Sequence, residues 1–336
     1  MKPTEAQNVA GARSAAVTDA VAREVRLVEE GLRQTLVSEV PVVSEVGMHT
    51  LQAGGKRLRP AFLVLSAKAT GLPYEEPKAL GLGVCMELIH MATLIHDDVV
   101  DHASTRRGRE TANALFGSAA TILSGDIMLA KAMNLLSVHG TREITDVVAQ
   151  AVIDMAEGEV SEMVARGAFD LAIDAHLEIL RMKTASFFKA CCETGGWTAS
   201  APPEMIAALA SYGQNVGMAF QIVDDLLDYR GDEAKTGKPQ AIDFREGCAT
   251  LPLIFLRDKL SEGEREVAKR KFGDGVTDDE LHMICNWMES RGCFAKTVAV
   301  ADKHRRLAME ALAALPPTPG REMLEELAEM VVVRES

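Results

Sequence analysis

The feature that most constrains this chain is a succession of long segments in which apolar residues recur every three or four positions. The pattern covers residues 17–36, 60–70, 75–101, 119–138, 141–166, 173–194 and 203–229. Such spacing places the apolar side chains on one face of an α-helix. Glycine and proline groups separate the segments, and no convincing run of alternating residues predicts a strand. We therefore predict an all-α fold in which residues 1–336 form one large helical domain.

The charge and the cysteines exclude some classes of protein. The formal net charge of −13 argues against a free-standing nucleic-acid binder, which is usually basic. The six cysteines form no C-x-x-C pair and lie at no zinc-finger spacing, as expected for thiols in a reducing compartment. The first residues contain no apolar signal core, and no uninterrupted apolar run approaches the roughly 18–20 residues of a membrane span. We expect a soluble cytoplasmic protein with no transmembrane segment.

A first cluster of aspartates, DDVVD at residues 97–101, ends one of the predicted helices. Asp97 and Asp101 are four residues apart, so their side chains share a face, about 5–6 Å apart at Cβ. Carboxylates this close repel each other and favour a cation, and Mg²⁺ is often held by one or two carboxylates plus substrate phosphates. An acidic pair at a helix end is also common in a solvated terminus, although it opposes the helix dipole.

A second cluster, DDLLD at residues 224–228, repeats the pattern at the end of another predicted helix. Gln221 lies seven residues before Asp228, about two turns, and shares its face. Two such clusters are harder to attribute to chance than one. They indicate carboxylates that hold several Mg²⁺ ions around a diphosphate.

Two groups of cations accompany the acidic clusters. One is GGKRLRP at residues 54–60, and the other is the pair Arg106 and Arg107, which follows the first cluster. Arginine offers forked donors for phosphate oxygens, and lysine offers a mobile point charge. In a net acidic chain, this combination suits one metal-bound diphosphate beside a second diphosphate that is bound directly.

These motifs together resemble the trans-isoprenyl diphosphate synthase (polyprenyl synthetase) family. The resemblance runs from about residue 54 to residue 254 and more weakly to both ends. The matching motifs, in order, are GGKRLRP (54–60), ELIHMATLIHDDVVD (87–101), RRG (106–108), GD (125–126), KT (183–184) and FQIVDDLLD (220–228). The resemblance implies a single bundle of roughly ten or more helices around a central substrate cavity, as in isoprenoid synthases.

The resemblance also implies the roles of individual residues. The magnesium ligands would be Asp97, Asp101 and Asp224, supported by Asp98, Asp225 and Asp228, with about three Mg²⁺ per site when substrate is bound. Isopentenyl diphosphate would be held by Lys56, Arg59, His90 and Arg107. The allylic diphosphate would be held by Arg106, Lys183, Thr184, Gln221 and Lys238. The spacing supports His90 independently, since it lies seven residues before Asp97 on the same helical face.

The implied reaction is a trans 1'-4 prenyl transfer. Metal and cations stabilise the departing diphosphate, an allylic carbocation forms, and the double bond of isopentenyl diphosphate attacks it. Loss of a proton then restores an alkene, with the released diphosphate as the base.

The sequence departs from the family after the second cluster. The family usually reads G-N-D-x-x-E-G-K-x-T-L-P, and this chain reads AIDFREGCATLP at residues 241–252. Cys248 therefore stands where the family has a diphosphate-binding lysine, and Ile242 replaces an asparagine. Loss of that cation would weaken allylic binding by about 1–3 kcal/mol. Since Lys238 and the metals remain, we expect activity.

The length of the product is predicted from the helix that precedes the first cluster. Ala92 and Thr93 lie roughly one turn below Asp97 and are small, while Ile89 lies deeper. A growing apolar chain that follows this face would be stopped by the first large side chain. By analogy with the family we expect about six or more isoprene units (C30 or longer), for quinone or related isoprenoid synthesis.

Alternative functions remain open. They are a geranylgeranyl or farnesylgeranyl diphosphate synthase, and the catalytic subunit of a heteromeric synthase with an unlike small subunit. A class I terpene cyclase is the weakest, because cyclases normally lack GGKRLRP and the second full cluster. The family is usually dimeric, so a homodimer is expected.

Overall fold

The structure is a computed structural model that describes residues 22–230, 241–273 and 275–332. The first helix, α1, is described over residues 22–35. It is followed by α2 (Pro41–Gln52), α3 (Leu58–Ala69), α4 (Glu76–Val100), β1 (Thr105–Arg106), β2 (Arg109–Glu110), α5 (Ala112–Phe116), α6 (Ser118–His139), α7 (Arg142–Ala165), α8 (Ile173–Leu180), a π-helical turn (Arg181–Ala185), α9 (Ser186–Thr198), α10 (Pro203–Arg230), α11 (Ile242–Glu246), α12 (Leu251–Arg257), α13 (Glu262–Lys271), α14 (Asp278–Ser290), α15 (Cys293–Leu312) and α16 (Pro319–Val332).

The prediction of an all-α fold is confirmed. In the described part of the chain the strands are limited to the antiparallel pair β1–β2, with Thr105 opposite Glu110 and Arg106 opposite Arg109. The predicted helical segments agree with the observed helices to within a few residues, because each carries an apolar face that a helix can bury; residues 17–21 of the first segment lie outside the described residues. The sequence did not predict the hairpin, nor the π-helical turn that divides the predicted segment 173–194.

The chain divides into two compact units. The first unit comprises Met1–Ala149, Cys191–Leu209 and Ala314–Leu324, and the second comprises Gln150–Ala190, Ala210–Ala313 and Glu325–Ser336. The expectation of one domain over residues 1–336 stays a prediction. Each aspartate cluster lies in a different unit, so each is described within its own unit below.

In the first unit, α4 packs antiparallel against α6. The thiol of Cys85 donates to the carbonyl of Ala132 at 3.2 Å, and Gly125 lies under the ring of His96. A Cβ at Gly125 would come within 2.4 Å of His96 Nε2, so only glycine permits this approach of the two helices. The packing holds the last turn of α4, which carries the first aspartate cluster.

The second unit is built around an apolar core of buried side chains. Phe272 makes edge-to-face contacts with Phe169 and Phe244, with ring centroids 5.6 and 5.4 Å apart. Leu226 and Tyr229, from the last turns of α10, are buried in the same core. Burial of these neighbours fixes the helix end that carries the second aspartate cluster.

Among the residues that the structure describes, two helices are long and apolar enough to cross a membrane by length and composition. They are α4, with a mean hydropathy of 1.5 over its most apolar window, and α6, with 1.2. In α4, 67% of that window is buried within the protein, as in the core helix of a water-soluble fold. In α6 only 33% is buried. The exposed apolar face of α6 therefore requires a separate explanation.

Candidate active site

The first aspartate cluster occupies the C-terminal end of α4. Asp97 and Asp98 lie in the last turn, and Asp101 is the C-cap, its N–H bonded to the carbonyl of Asp97 at 2.8 Å. Asp97 and Asp101 are half-buried, whereas Asp98 is only 5% exposed. Burial raises the pKa of Asp98, and the hydrogen bond from Arg106 opposes that rise. The cluster thus divides into two outer carboxylates and one inner carboxylate that is bonded to a cation.

The hairpin β1–β2 presents the two arginines that follow the cluster. Arg106 Nε donates to Asp98 at 2.7 Å, and the side chain of Arg107 donates to the carbonyl of Gly54. The turn places Arg107 at φ +54° and Gly108 at φ +73°, both in the left-handed region. This backbone is unusual for a residue with a side chain, and it directs consecutive arginines to different partners. The hairpin therefore connects the first cluster with the glycine-rich loop.

The glycine-rich loop, defined as residues 54–59 and so including the start of α3, holds three cations in three different environments. Lys56 is exposed, and Arg59, in the first turn of α3, is half-buried. Arg57 is 6% exposed and donates to Glu87 at 2.9 Å and to Glu29 at 3.3 Å. Nothing in the sequence separates Arg57 from its charged neighbours.

His90 lies on α4, two turns before Asp97, in strongly cationic surroundings. Burial, followed by the charges of Arg59, Arg107, Arg106 and Arg57, holds the pKa of His90 well below its ordinary value. The imidazole is therefore neutral near pH 7 and can still donate one N–H. Of the residues predicted to bind isopentenyl diphosphate, Arg59 and Arg107 therefore act on His90 through their charges. A neutral donor and several cations suit an anionic ligand.

The second aspartate cluster ends α10 in the other unit. Asp225 is 7% exposed, and Gln221 donates to its Oδ1 at 2.9 Å. Asp228 accepts the backbone N–H groups of Ile242 at 3.2 Å and Asp243 at 3.0 Å, which lie in the first turn of α11. Asp228 therefore also attaches the first turn of α11 to the end of α10.

The charges around Asp225 are unbalanced in favour of carboxylates. Burial raises the pKa of Asp225 to about 8; the Gln221 hydrogen bond opposes the shift, and the charges of Glu162, Asp224 and Asp228 add to it. Within the described residues, Asp225 Oδ2 is buried, makes no hydrogen bond and faces His176 Nε2 at 3.5 Å. Surplus carboxylate charge at a site favours a bound cation.

Lys183 is paired with glutamates of α7, one of which, Glu162, also acts on Asp225 through its charge. It pairs with Glu159 at 2.8 Å and with Glu162 at a shorter distance. Burial lowers the pKa of Lys183, but the two glutamates outweigh it and hold the pKa above its ordinary value. Lys183 lies in the π-helical turn, a feature frequent at functional sites. Gly158 permits the close approach of α7 to the π-helical turn, since a Cβ there would come within 2.6 Å of the backbone nitrogen of Lys183.

A chain of hydrogen bonds connects three predicted site residues. The hydroxyl of Thr184 donates to Gln221 Oε1 at 2.9 Å, and Gln221 Nε2 donates to Asp225. Thr184 is 37 residues from Gln221 in sequence, so only the fold brings them together. The chain fixes the orientation of the glutamine amide.

Sequence reasoning missed several groups at the second cluster. His176 Nε2 lies 3.5 Å from Asp225 Oδ2, and burial lowers the pKa of His176 to about 4. Asp243 is also missed: burial and the charges of Asp228 and Asp225 raise its pKa well above the ordinary value. Only Asp243 had a signal, because it is the acidic residue of the G-N-D-like stretch.

Cys248, the main departure from the family, lies among carboxylates. Burial, with the charges of Glu162 and Asp243, raises the pKa of its thiol to about 12. The thiol is therefore neutral at physiological pH and supplies no charge to replace a lysine. The other cation predicted nearby, Lys238, lies outside the described residues.

The residues predicted to set product length lie on α4. Ile89 and Ala92 are completely buried, and Thr93 is half-buried with its hydroxyl donating to the carbonyl of His90 at 2.8 Å. Ala92 and Thr93 thus lie on the helix one turn from Asp97, as the spacing predicted. Their role in chain length stays a prediction.

The carboxylates suit magnesium without forming a complete metal site. Within residues 22–230, 241–273 and 275–332, no three His, Cys, Asp or Glu side chains converge as a preformed site. Mg²⁺ is usually bound by one or two carboxylates plus waters and substrate phosphates, rather than by an all-protein cage. The donor set, with the negative charges of Glu162, Asp224 and Asp228 around Asp225, fits that mode of binding.

The fold and the site together define a class of protein: an α-helical enzyme whose paired carboxylates and arginines suit phosphorylated substrates. A sequence model of the polyprenyl synthetase family matches residues 40–287, and the chain belongs to this family. It is 34% identical to the octaprenyl diphosphate synthase of Escherichia coli K12 over 319 residues, covering 95% of this chain and 98% of that one.

Two further comparisons agree. The chain is 33% identical to heptaprenyl diphosphate synthase component 2 of Geobacillus stearothermophilus, over 91% of this chain and 94% of that one. The structure superposes on the crystal structure of a decaprenyl diphosphate synthase from Rhodobacter capsulatus with a TM-score of 0.90 and 39% identity, covering 96% and 99% of the two chains. The family predicted from the motifs is therefore confirmed, and the chain is a prenyltransferase of the polyprenyl diphosphate synthase type.

Proposed function

We propose that this enzyme adds isopentenyl diphosphate to an allylic diphosphate by trans 1'-4 condensation and releases a polyprenyl diphosphate of about six or more isoprene units. The observation that carries this proposal is the environment of His90. A net acidic chain gathers four arginines around one neutral histidine, two turns before a cluster of carboxylates on the same helix. Such a concentration of cations favours a highly charged anion beside a metal-binding group.

The cations near His90 would bind isopentenyl diphosphate. Lys56, Arg59 and Arg107 would neutralise its phosphates, and His90 would donate its N–H to a phosphate oxygen. Because His90 is neutral, the positive charge that attracts isopentenyl diphosphate comes from the arginines and the lysine. The alkene of isopentenyl diphosphate needs orientation rather than activation.

The second unit supplies residues for the allylic diphosphate. Lys183 and the amide of Gln221, held by Thr184 and Asp225, would bind its oxygens. The resemblance to the family adds Lys238 and, from the first unit, Arg106 as the other proposed ligands. The paired glutamates on Lys183 keep it protonated, so its full charge is present at any physiological pH. The aspartates of both clusters would hold Mg²⁺, which when bound neutralises charge on the diphosphate leaving group.

The reaction then breaks one bond and forms another. The C1–O bond of the allylic diphosphate breaks, and the electron pair leaves with the diphosphate. The isopentenyl double bond attacks C1 of the resulting allylic cation. A bond forms between this carbon, called C1' in the product, and C4 of isopentenyl diphosphate. A proton is then lost from C2 of the former isopentenyl unit to the released diphosphate. No covalent bond to the protein is needed, so the side chains contribute by binding, orienting and stabilising charge.

The length of the product is proposed from the small residues on α4 and from the names of the relatives. These relatives are octaprenyl, heptaprenyl and decaprenyl diphosphate synthases. A shorter product, geranylgeranyl or farnesylgeranyl diphosphate, is the alternative. The buried Ile89 and Ala92 do not decide between them, because both are packed within the protein.

We also propose that the enzyme is a cytoplasmic homodimer whose subunits meet at α6. The apolar side chains exposed on this helix are Ile122, Leu123, Met133 and Val138, which are 40%, 61%, 40% and 68% exposed. Burying them against a second copy would remove a large apolar face from water. The relative named component 2 favours an unlike small subunit as the alternative. Sedimentation equilibrium of the purified chain separates the two: a stable monomer would contradict the homodimer.

A single assay tests the proposed reaction. The purified chain is incubated with Mg²⁺, radiolabelled isopentenyl diphosphate and dimethylallyl, geranyl, farnesyl or geranylgeranyl diphosphate in separate reactions. We expect a ladder of labelled alcohols after dephosphorylation, ending at C30 or longer, and no incorporation when EDTA is present. A folded chain that incorporates no label with any primer would contradict the proposal for the isolated chain.

A further inference from the structure

We propose that Arg57 is a positioning residue of the isopentenyl diphosphate site, which it serves by fixing the glycine-rich loop to α4 without touching the substrate. The inference rests on the proposed function, because it concerns the loop that carries Lys56 and Arg59. Arg57 is the one cation of the GGKRLRP motif to which neither the sequence nor the proposed reaction gives a role. Its contacts indicate what it does.

The guanidinium of Arg57 is enclosed by protein groups from three helices. Nη1 donates to Glu87 on α4 at 2.9 Å, Nη2 donates to the carbonyl of Leu51 on α2 at 2.9 Å, and Nε donates to Glu29 on α1 at 3.3 Å. Its side chain is 6% exposed. Two carboxylates therefore neutralise the charge of this arginine, and the side chain is turned away from solvent.

The pair with Glu87 connects the loop to the turn of α4 that presents His90. Glu87 is three residues before His90, and residues at this spacing lie next to each other on a helix. Glu87 is 3% exposed, and within the part of the chain that the structure describes its second oxygen has no hydrogen-bond partner. Arg57 is thus the charge partner of a buried carboxylate, and breaking such a pair leaves an uncompensated charge.

The backbone of the loop is adapted to the same arrangement. Arg57 is the N-cap of α3 with φ +47°, in the left-handed region that side chains rarely adopt. Gly55 lies between two guanidinium groups: a Cβ there would come within 3.0 Å of Arg57 Nη1 and 3.1 Å of Arg107 Nη1. The strained backbone is held by the contacts of the Arg57 side chain, and it sets the direction in which Lys56 and the first turn of α3 project.

The test compares Arg57→Met with Arg33→Met in the purified full-length chain. Arg33 is a matched control, because it also faces Glu29, at 3.8 Å, but is 51% exposed. We expect Arg57→Met to raise the KM for isopentenyl diphosphate by about tenfold or more, with the KM for the allylic substrate changed less than about twofold. Arg33→Met should leave both values unchanged.

Glu87→Gln provides a second variant of nearly unchanged volume, in case Arg57→Met does not fold. A positioning role predicts that Glu87→Gln raises the KM for isopentenyl diphosphate in the same direction. It also predicts that the double variant is no worse than the more severe single variant, since both act through one contact. Thermal unfolding and far-UV circular dichroism of each variant establish that the fold is retained.

Calorimetric binding of isopentenyl diphosphate, without allylic substrate, gives a readout that does not depend on turnover. Weaker binding in Arg57→Met and Glu87→Gln, but not in Arg33→Met, supports the inference. The inference is overturned if folded Arg57→Met keeps the wild-type KM and affinity, if both KM values rise equally, or if Glu87→Gln has no effect. A wild-type chain that neither binds isopentenyl diphosphate nor incorporates it would instead overturn the proposed function.

Discussion

The Arg106 guanidinium donates a hydrogen bond of 2.7 Å to the buried carboxylate of Asp98, so this inner aspartate of the first cluster is bonded to a cation within the protein. Asp97 and Asp101 lie on either side of it and are more exposed. The three carboxylates of one motif therefore have different surroundings. This difference gives the cluster a testable order of importance.

We predict that Asp97→Ala or Asp224→Ala lowers turnover by about 10²-fold or more, because each removes a carboxylate from a metal-binding cluster. The fold should survive, since both side chains are half-buried and lie near helix ends. Asp146→Ala is the control, with a side chain 73% exposed and outside both clusters. Initial rates at saturating Mg²⁺ measure turnover, and circular dichroism shows whether the fold is retained. Near-normal activity in either cluster variant would rule out a metal-binding role for the substituted aspartate.

Lys183→Met should raise the KM for the allylic diphosphate by roughly 10-fold or more, because a charge-assisted bond to phosphate is lost. The variant should also be less stable, since Glu159 and Glu162 would lose their shared cation. Glu162→Gln in the same chain should recover part of the stability but none of the affinity. Lys303→Met, at an exposed position of α15, is the control. If Lys183→Met keeps the wild-type KM for the allylic diphosphate, Lys183 only pairs with its glutamates and does not bind the substrate.

Cys248→Lys tests the departure from the family. The neutral thiol faces a region rich in carboxylates, so a lysine there should be accommodated electrostatically. We expect the KM for the allylic substrate to fall by about 5-fold or more if the lysine reaches the diphosphate. Cys248→Met separates the effect of charge from that of size. An unchanged KM in the lysine variant would mean that this position does not contact substrate in this chain.

Ala92→Phe should shorten the product, because a bulky ring would stand roughly one turn below the first cluster on α4. Ala92 is completely buried, so the same change is expected to cost about 1–3 kcal/mol of stability through overpacking. Chromatographic sizing of the dephosphorylated products is the measurement. Ala299→Phe, at an exposed position of α15, should leave the ladder unchanged. The same product length in both variants would place the growing chain elsewhere.

The pKa of His90 makes a prediction about pH. The folded protein keeps His90 neutral, with a pKa well below 6.5, whereas the unfolded chain titrates near the ordinary value. The unfolded state therefore binds the additional proton first, and the stability contributed by this group is present above pH 6.5 and lost as the pH falls. Urea unfolding between about pH 7.5 and about pH 5 should show a smaller loss of stability for His90→Asn than for wild type. If the free energy of unfolding falls equally with pH in wild type and His90→Asn, the depressed pKa of His90 is contradicted.

The order of the helices and most of the ionisable groups of the candidate site were predictable from the sequence, although His176 and Asp243 were missed. The helical period determines the segments because a helix must bury its apolar face, and the predicted bounds agree with α3, α4, α6, α7 and α10 to within a few residues. Six motifs in one order, among them the two aspartate clusters and GGKRLRP, were sufficient to indicate the family. The helical period and the short motifs depend only on residues that are close together in sequence.

The partners of the charged groups were decided only by the tertiary structure. Arg57 and Lys56 are adjacent and equally charged in sequence, yet one is enclosed by Glu87 and Glu29 while the other is exposed. Likewise Thr184 meets Gln221, 37 positions away, and His176 on α8 approaches Asp225 on α10. A hydrogen bond between distant residues depends on how helices pack, and that packing sums many weak apolar contacts that no single motif contains. The sequence by itself therefore determined the family and the candidate residues, and the fold determined which of them are turned toward each other and which toward solvent.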